Sequence, residues 1–138
     1  MTLQPERSAE GLRILVVDDN PDAANTLAKL LKALGHGVNV AYRGPAALEE
    51  SREHHFDLII SDLLMPGMNG RELAAELREE ASDRPLTIVA LTGLARPQDQ
   101  GTRQLFDRIL LKPVRFDVLE SLLSEVATRR GTGGPLRD

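Results

Sequence analysis

The stretch Phe56 to Gly70, FDLIISDLLMPGMNG, decides the fold. Leu58, Ile59 and Ile60 lead through Ser61 into a single acid, Asp62. A short apolar run bounded by turn residues reads as a fully buried strand. Pro66, Gly67, Asn69 and Gly70 then supply the chemistry of a loop. Asp62 therefore stands where a buried strand ends and a loop begins. A carboxylate there is costly unless something pairs with it, and the rest of the chain must provide that partner.

Working towards the N-terminus, Val38 to Ala41 is a shorter strand, and Gly44-Pro45 opens a helix that buries Ala46, Ala47 and Leu48. Before it, Arg13 to Val17 is a β-branched run suited to a buried parallel strand. It ends in Asp18-Asp19-Asn20-Pro21, where Asn20 can cap a helix and Pro21 suits its first turn. Leu27, Leu30, Leu31 and Leu34 give that helix an apolar stripe, and Gly35 stops it.

Working towards the C-terminus, Asn69 with Glu72 has the spacing of a capping box, and Leu73, Ala74 and Leu77 mark the buried face of the helix that follows. Leu86 to Leu91 is a fourth strand, ending in Thr92-Gly93. The segment from Leu94 to Asp107 is a poor helix. Pro97 can start it, but Gly101 lies in its middle, where glycine costs about 1 kcal/mol against alanine. Arg108 to Leu111 is a short fifth strand ending at Lys112-Pro113, and Val118, Leu119, Leu122, Leu123 and Val126 mark a last helix.

Strand and helix thus alternate about five times, which predicts an α/β fold with a parallel sheet covered on both faces. Right-handed crossovers bring every strand's carboxyl end to one edge, where ligands bind in open sheets. The 138 residues suit one domain with a single core. Residues 1–11 are expected to form a flexible lead, 12–128 the folded domain and 129–138 a flexible Gly-rich tail.

The net charge of −4 argues against direct nucleic-acid binding, which needs a basic surface, and 3% aromatics are too few for base stacking. The absence of cysteine excludes disulfides, thiolate zinc sites and thiol catalysis, and it permits the cytoplasm. No apolar run approaches the roughly 18 residues of a membrane span, and the polar residues 1–11 do not form a signal peptide.

The shared edge collects Asp18 and Asp19 from the first strand, Asp62 from the third, Thr92 from the fourth and Lys112 from the fifth. Acids gathered so closely repel one another unless a cation is present, and Mg²⁺ prefers oxygen ligands of this kind. A lysine and a hydroxyl beside one carboxylate suit an anion with several oxygens, and a phosphoryl group fits. Its transfer needs mainly positioning and charge neutralisation, and a carboxylate can itself be the acceptor. Alone, each residue has an ordinary reading: Asp18, Asp19 and Asn20 as turn and cap, Thr92-Gly93 as the end of a strand, Lys112 as a surface lysine. Their joint placement favours a site.

ILVVDDN, SDLLMPGMNG, ALTG and LLKP, in this order and spacing, resemble a response-regulator receiver domain, a match from about Arg13 to Val126. The resemblance implies the flavodoxin-like five-stranded sheet, strand order 2-1-3-4-5, and a phosphorylation-controlled switch of two-component signalling. It implies Asp62 as phosphoacceptor. Mg²⁺, with Mn²⁺ as a substitute, would be held by Asp19, Asp62 and the Leu64 carbonyl, with Asp18 assisting through water. Lys112 would contact the phosphoryl group, its bond to Pro113 would be cis, and Thr92 would turn towards a phosphoryl oxygen. The implied donor is a phosphohistidine on a histidine kinase or histidine phosphotransfer protein, or a small donor such as acetyl phosphate. His36, His54 and His55 read as solvated surface residues.

Two departures bear on readout. The family usually has an aromatic three residues before the lysine, and Ile109 stands there. The spacing from Thr92 to Lys112 is about two residues short, and Leu105-Phe106-Asp107 replaces the usual Ala-Gly. The fourth helix should therefore be short, displaced or partly unwound, on a face that in the family carries output or homodimer contacts. Thr92 to Asp99, TGLARPQD, resembles the receivers of hybrid kinases. Two further readings are a non-phosphorylated interaction module and an aspartate-nucleophile phosphatase. The phosphatase pattern needs a second acid where Leu64 stands, so the chain is expected not to be a turnover enzyme.

Overall fold

The computed structural model describes residues 11–82, 84–93 and 99–132. Five strands alternate with five helices: β1 (Arg13–Val17), α1 (Pro21–Ala33), β2 (Gly37–Ala41), α2 (Gly44–Glu53), β3 (Leu58–Asp62), α3 (Gly70–Ala81), β4 (Thr87–Thr92), α4 (Gln100–Leu105), β5 (Arg108–Leu111) and α5 (Phe116–Thr132). The strands form one parallel sheet in the order 2-1-3-4-5, the expected flavodoxin-like topology. Chain order reverses between β1 and β3, which lie side by side and bring Asp18 and Asp62 together.

The sheet divides two apolar layers. Leu15, Ile59, Ile88, Leu73 and Leu77 pack on one face with α2 and α3; Ile14, Val16, Ile60, Leu31, Leu119 and Leu122 pack on the other with α1 and α5. β3 and β4 are buried along their full lengths, which is why both read as continuous apolar runs.

The helix starts follow their caps. Asn20 accepts from the Asp22 and Ala23 N–H groups, and Asn69 and Glu72 form the reciprocal capping box. Three expectations are corrected. The face α1 buries is Ala24, Ala28 and Leu31, while Leu27 and Leu30 are half-buried and Leu34 is exposed; small alanines let the helix lie close to the sheet. Val118 is likewise exposed, although Leu119, Leu122, Leu123 and Val126 are buried. The last helix continues to Thr132, past the boundary expected at 128.

α4 is short, as the spacing demanded, with six residues. Its start is fixed by Asp99, which accepts from Thr102 N–H at 2.7 Å, whereas Pro97, the expected start, lies outside the described residues. Its end is tied to α3: Arg78 donates to the Leu105 carbonyl at 2.9 Å and to Asp107 Oδ2 at 2.9 Å. The same Asp107 oxygen accepts from Ile88 N–H at 2.8 Å. Asp107 thus takes the place of the missing Ala-Gly as a junction of α3, β4 and β5. Asp107→Ala leaves the Arg78 guanidinium and the Ile88 N–H short of an acceptor. It should cost about 2 kcal/mol, read as a lower urea midpoint.

Candidate functional site

The carboxyl edge of the sheet gathers the expected residues. Asp18 follows β1, Asp62 ends β3, Thr92 ends β4 and Lys112 follows β5. Asp18, Asp62 and Thr92 are buried, Lys112 is half-buried and Asp19 is exposed. Each of the three acids offers one carboxylate oxygen, and those oxygens lie within 4.8 Å of one another. Oxygens on opposite sides of a Mg²⁺ ion stand about 4.2 Å apart, twice the metal–oxygen distance of about 2.1 Å. Small side-chain rotations bring this set to that span, so the residues present fit a divalent cation.

Lys112 reaches into the cluster and ties it together. Its Nζ donates to Asp18 Oδ2 at 3.2 Å and forms an ion pair with Asp62 Oδ2 at 3.4 Å. Its backbone N–H donates to the Thr92 carbonyl at 2.8 Å, which fixes where the side chain starts. The Lys112–Pro113 bond is cis, as the resemblance implied. Asp18 is held from its other oxygen by the Asn20 N–H at 2.9 Å, so one Asn caps α1 and also orients an acid. Asp62 Oδ1 receives a long contact, 3.4 Å, from Leu64 N–H.

The electrostatics follow from this packing. Burial pushes the Asp62 carboxyl above its usual range, and the charge of Asp18 adds to the shift, while Lys112 and the Leu64 N–H oppose it without cancelling it. Lys112 moves upward as well: burial disfavours its charge, but its hydrogen bond to Asp18 and the charges of Asp62 and Asp18 outweigh that cost. The site therefore carries a carboxylate held at a cost beside a firmly protonated amine, and a cation among the acids would relieve that cost.

The loop after Asp62 is short and closed. Gly70 N–H donates to the Leu63 carbonyl at 3.0 Å, Met65 is buried in the core, and the Leu64 side chain faces solvent. Ile109, at the expected aromatic position, is half-buried and packs against the core beside Phe106.

One expectation about the histidines changes. His55 is exposed, but His54 packs its ring at a tilt on Phe56, with centroids 6.0 Å apart. His36 is half-buried, and its Nδ1 accepts the Leu12 N–H at 3.0 Å, standing in for a carbonyl at the entry of β1. An isolated histidine after a helix-ending glycine carries no sequence signal for such a bond. Among the described residues, no helix is long and apolar enough to cross a membrane.

Comparison with known proteins places this edge in context. The family model "Response regulator receiver domain" matches residues 14–124. The sensor protein EvgS of Escherichia coli is 36% identical over 123 residues, 89% of this chain and 10% of EvgS, so the chain spans about a tenth of that relative. Response regulator TrrA of Thermotoga maritima, solved with Mg²⁺ and BeF, aligns with a TM-score of 0.75 and 31% identity over 83% of this chain and 98% of that one. The receiver domain of Saccharomyces cerevisiae Ssk1, solved with the histidine phosphotransfer protein Ypd1, gives a TM-score of 0.78 and 25% identity over 87% of this chain and 91% of the other.

Proposed function

Because the chain belongs to the response regulator receiver family, whose members generally accept phosphoryl groups in two-component signalling rather than turn over a substrate, we propose that its acceptor is Asp62. The supporting observation is Lys112, whose ammonium spans Asp18 and Asp62 at 3.2 and 3.4 Å. An ammonium at that position can follow an oxygen of the incoming group as charge builds on it.

In this reading Asp62 attacks phosphorus along the open side of the edge. The new bond is carboxylate oxygen to phosphorus. The bond broken is phosphorus to imidazole nitrogen of a phosphohistidine, or phosphorus to oxygen of acetyl phosphate. Asp19, Asp62 and the Leu64 carbonyl would hold Mg²⁺ or Mn²⁺, with Asp18 assisting through water. When bound, the cation neutralises the acids and the phosphoryl oxygens. Thr92, buried at the end of β4, would meet a phosphoryl oxygen with its hydroxyl and convey the change.

The donor fits a histidine kinase or a phosphotransfer protein of the kind Ypd1 is to Ssk1. A place within a sensor protein is consistent with the match to EvgS. The test is incubation with acetyl phosphate and Mg²⁺. The expected result is a mass gain of one phosphoryl group on the peptide that contains Asp62, and its absence defeats the reading.

Metal binding should also appear without any phosphodonor. Mg²⁺ at about ten times its dissociation constant should add about 1.4 kcal/mol to stability. A thermal melt with and without the ion reads this, and Asp19→Asn should lose most of the increment.

A further inference from the structure

Two methionines in the loop between β3 and α3 have no part in phosphoryl transfer as described. Met65 is buried and anchors one side of the loop in the core. Met68 is half-buried and lies across the start of α2 at Gly44. A Cβ at Gly44 would stand 2.6 Å from Met68 Sδ, and 2.9 Å from both Met68 Cβ and Cγ. A sulfur at the end of a flexible chain can swing aside. A Cβ cannot, because it is bonded to the backbone. Any side chain at 44 therefore pushes on the loop itself.

The loop has little room to absorb that push. It is closed by the Gly70 N–H bond to the Leu63 carbonyl, and Gly70 packs directly on the Asp62 carbonyl. Between those fixed points stands Leu64, whose N–H approaches Asp62 Oδ1 and whose carbonyl is a metal ligand in the reading proposed above.

We propose that Gly44 and Met68 form a positioning pair, in which the bare Cα of Gly44 seats Met68 and thereby sets the orientation of Leu64 relative to Asp62. Neither residue touches the reacting atoms. The inference rests on the reading of Asp62 and Leu64 as the metal-bearing acceptor. Contacts that orient metal ligands from behind govern affinity as well as shape, typically by 10- to 100-fold.

The test is Mg²⁺ affinity, measured by calorimetry on the full chain, for Gly44→Ala, Met68→Ala and the double variant. Gly44→Ala should weaken affinity about tenfold, and Met68→Ala at least about threefold. The double variant should bind more weakly than Met68→Ala alone but by less than the product of the two single effects, because truncation removes Sδ and Cγ while the Met68 Cβ, 2.9 Å from the added Cβ, remains. A change below about threefold in Gly44→Ala, with only a lower melting temperature, would mark the contact as core packing and overturn the proposal. Independent effects that multiply in the double variant would overturn it too. If Gly44→Ala does not fold, the threefold threshold for Met68→Ala decides. A wild-type chain that binds Mg²⁺ but takes up no phosphoryl group would defeat the acceptor reading while the affinities still judge the pair.

Discussion

Asp62→Asn should take up phosphoryl groups at least about a thousandfold more slowly than wild type, and it should also melt at a higher temperature. The first effect follows from the acceptor's chemistry, since a neutral amide offers no anionic oxygen to phosphorus. The second follows from burial and repulsion. The folded-state pKa of Asp62 is raised, chiefly by burial and then by Asp18, beyond what Lys112 and the Leu64 N–H offset. A carboxyl shifted upward favours the native state when protonated. Its contribution is fullest below the unfolded carboxylate range, falls as pH climbs through the raised value, and leaves a net cost at neutral pH. The neutral amide removes that cost, and Lys112 keeps its bond to Asp18. A gain of about 1 kcal/mol, or a few degrees in Tm, is expected at pH 7 and should vanish in acid. Were Asp62 mainly a stabilising partner of Lys112, the same substitution would lower Tm. One pair of melts, at neutral and acid pH, separates the two.

Gly70→Ala should destabilise the fold by about 3 kcal/mol, against the gain of about 1 kcal/mol that alanine usually brings to a helix. The added Cβ would lie 2.6 Å from the Asp62 carbonyl oxygen, 2.9 Å from Leu63 Cα and 3.1 Å from the Leu63 carbonyl oxygen. All three are backbone atoms, so no rotamer change relieves the clash. Retreat of α3 would break the Gly70 bond to Leu63 and disturb the Asn69–Glu72 capping box. Gly93→Ala is the matched control, because a Cβ there meets nothing within 4 Å among the described residues. It should change stability by no more than about 0.5 kcal/mol. Urea titration of the pair gives the comparison, and equal midpoints would refute the packing argument.

The strands and the edge that carries the acids are legible in the sequence because both depend on local pattern. A strand buried on both faces is built on a continuous apolar run, as LII and IVAL are, and each polar residue that ends one stands out. The face of α1 is not legible in the same way, because pattern favours leucine, while close packing on the sheet selects Ala24 and Ala28. Asp107 shows in the sequence only as a departure, because its partner Arg78 is 29 residues away and no periodicity links them. The His36 bond and the Gly44–Met68 contact escape sequence reasoning for the same cause: each joins loops or element ends that only the assembled sheet brings together. The direct hold of Lys112 on Asp18 escapes it too, since the resemblance implies that lysine for the phosphoryl group.

The bond from Lys112 to Asp18 spans 94 residues, and β5 is the last strand at its edge of the sheet. Contacts this distant in sequence carry a loop-closure cost that local pairings do not. The two halves of the site therefore stay strangers until almost the whole domain has left the ribosome and the final strand has docked. No nascent fragment lacking β5 can present the lysine to the acids. In the role proposed for Lys112, a chain that has not yet docked β5 would lack the ammonium that follows the phosphoryl oxygen, so efficient uptake would wait for that strand.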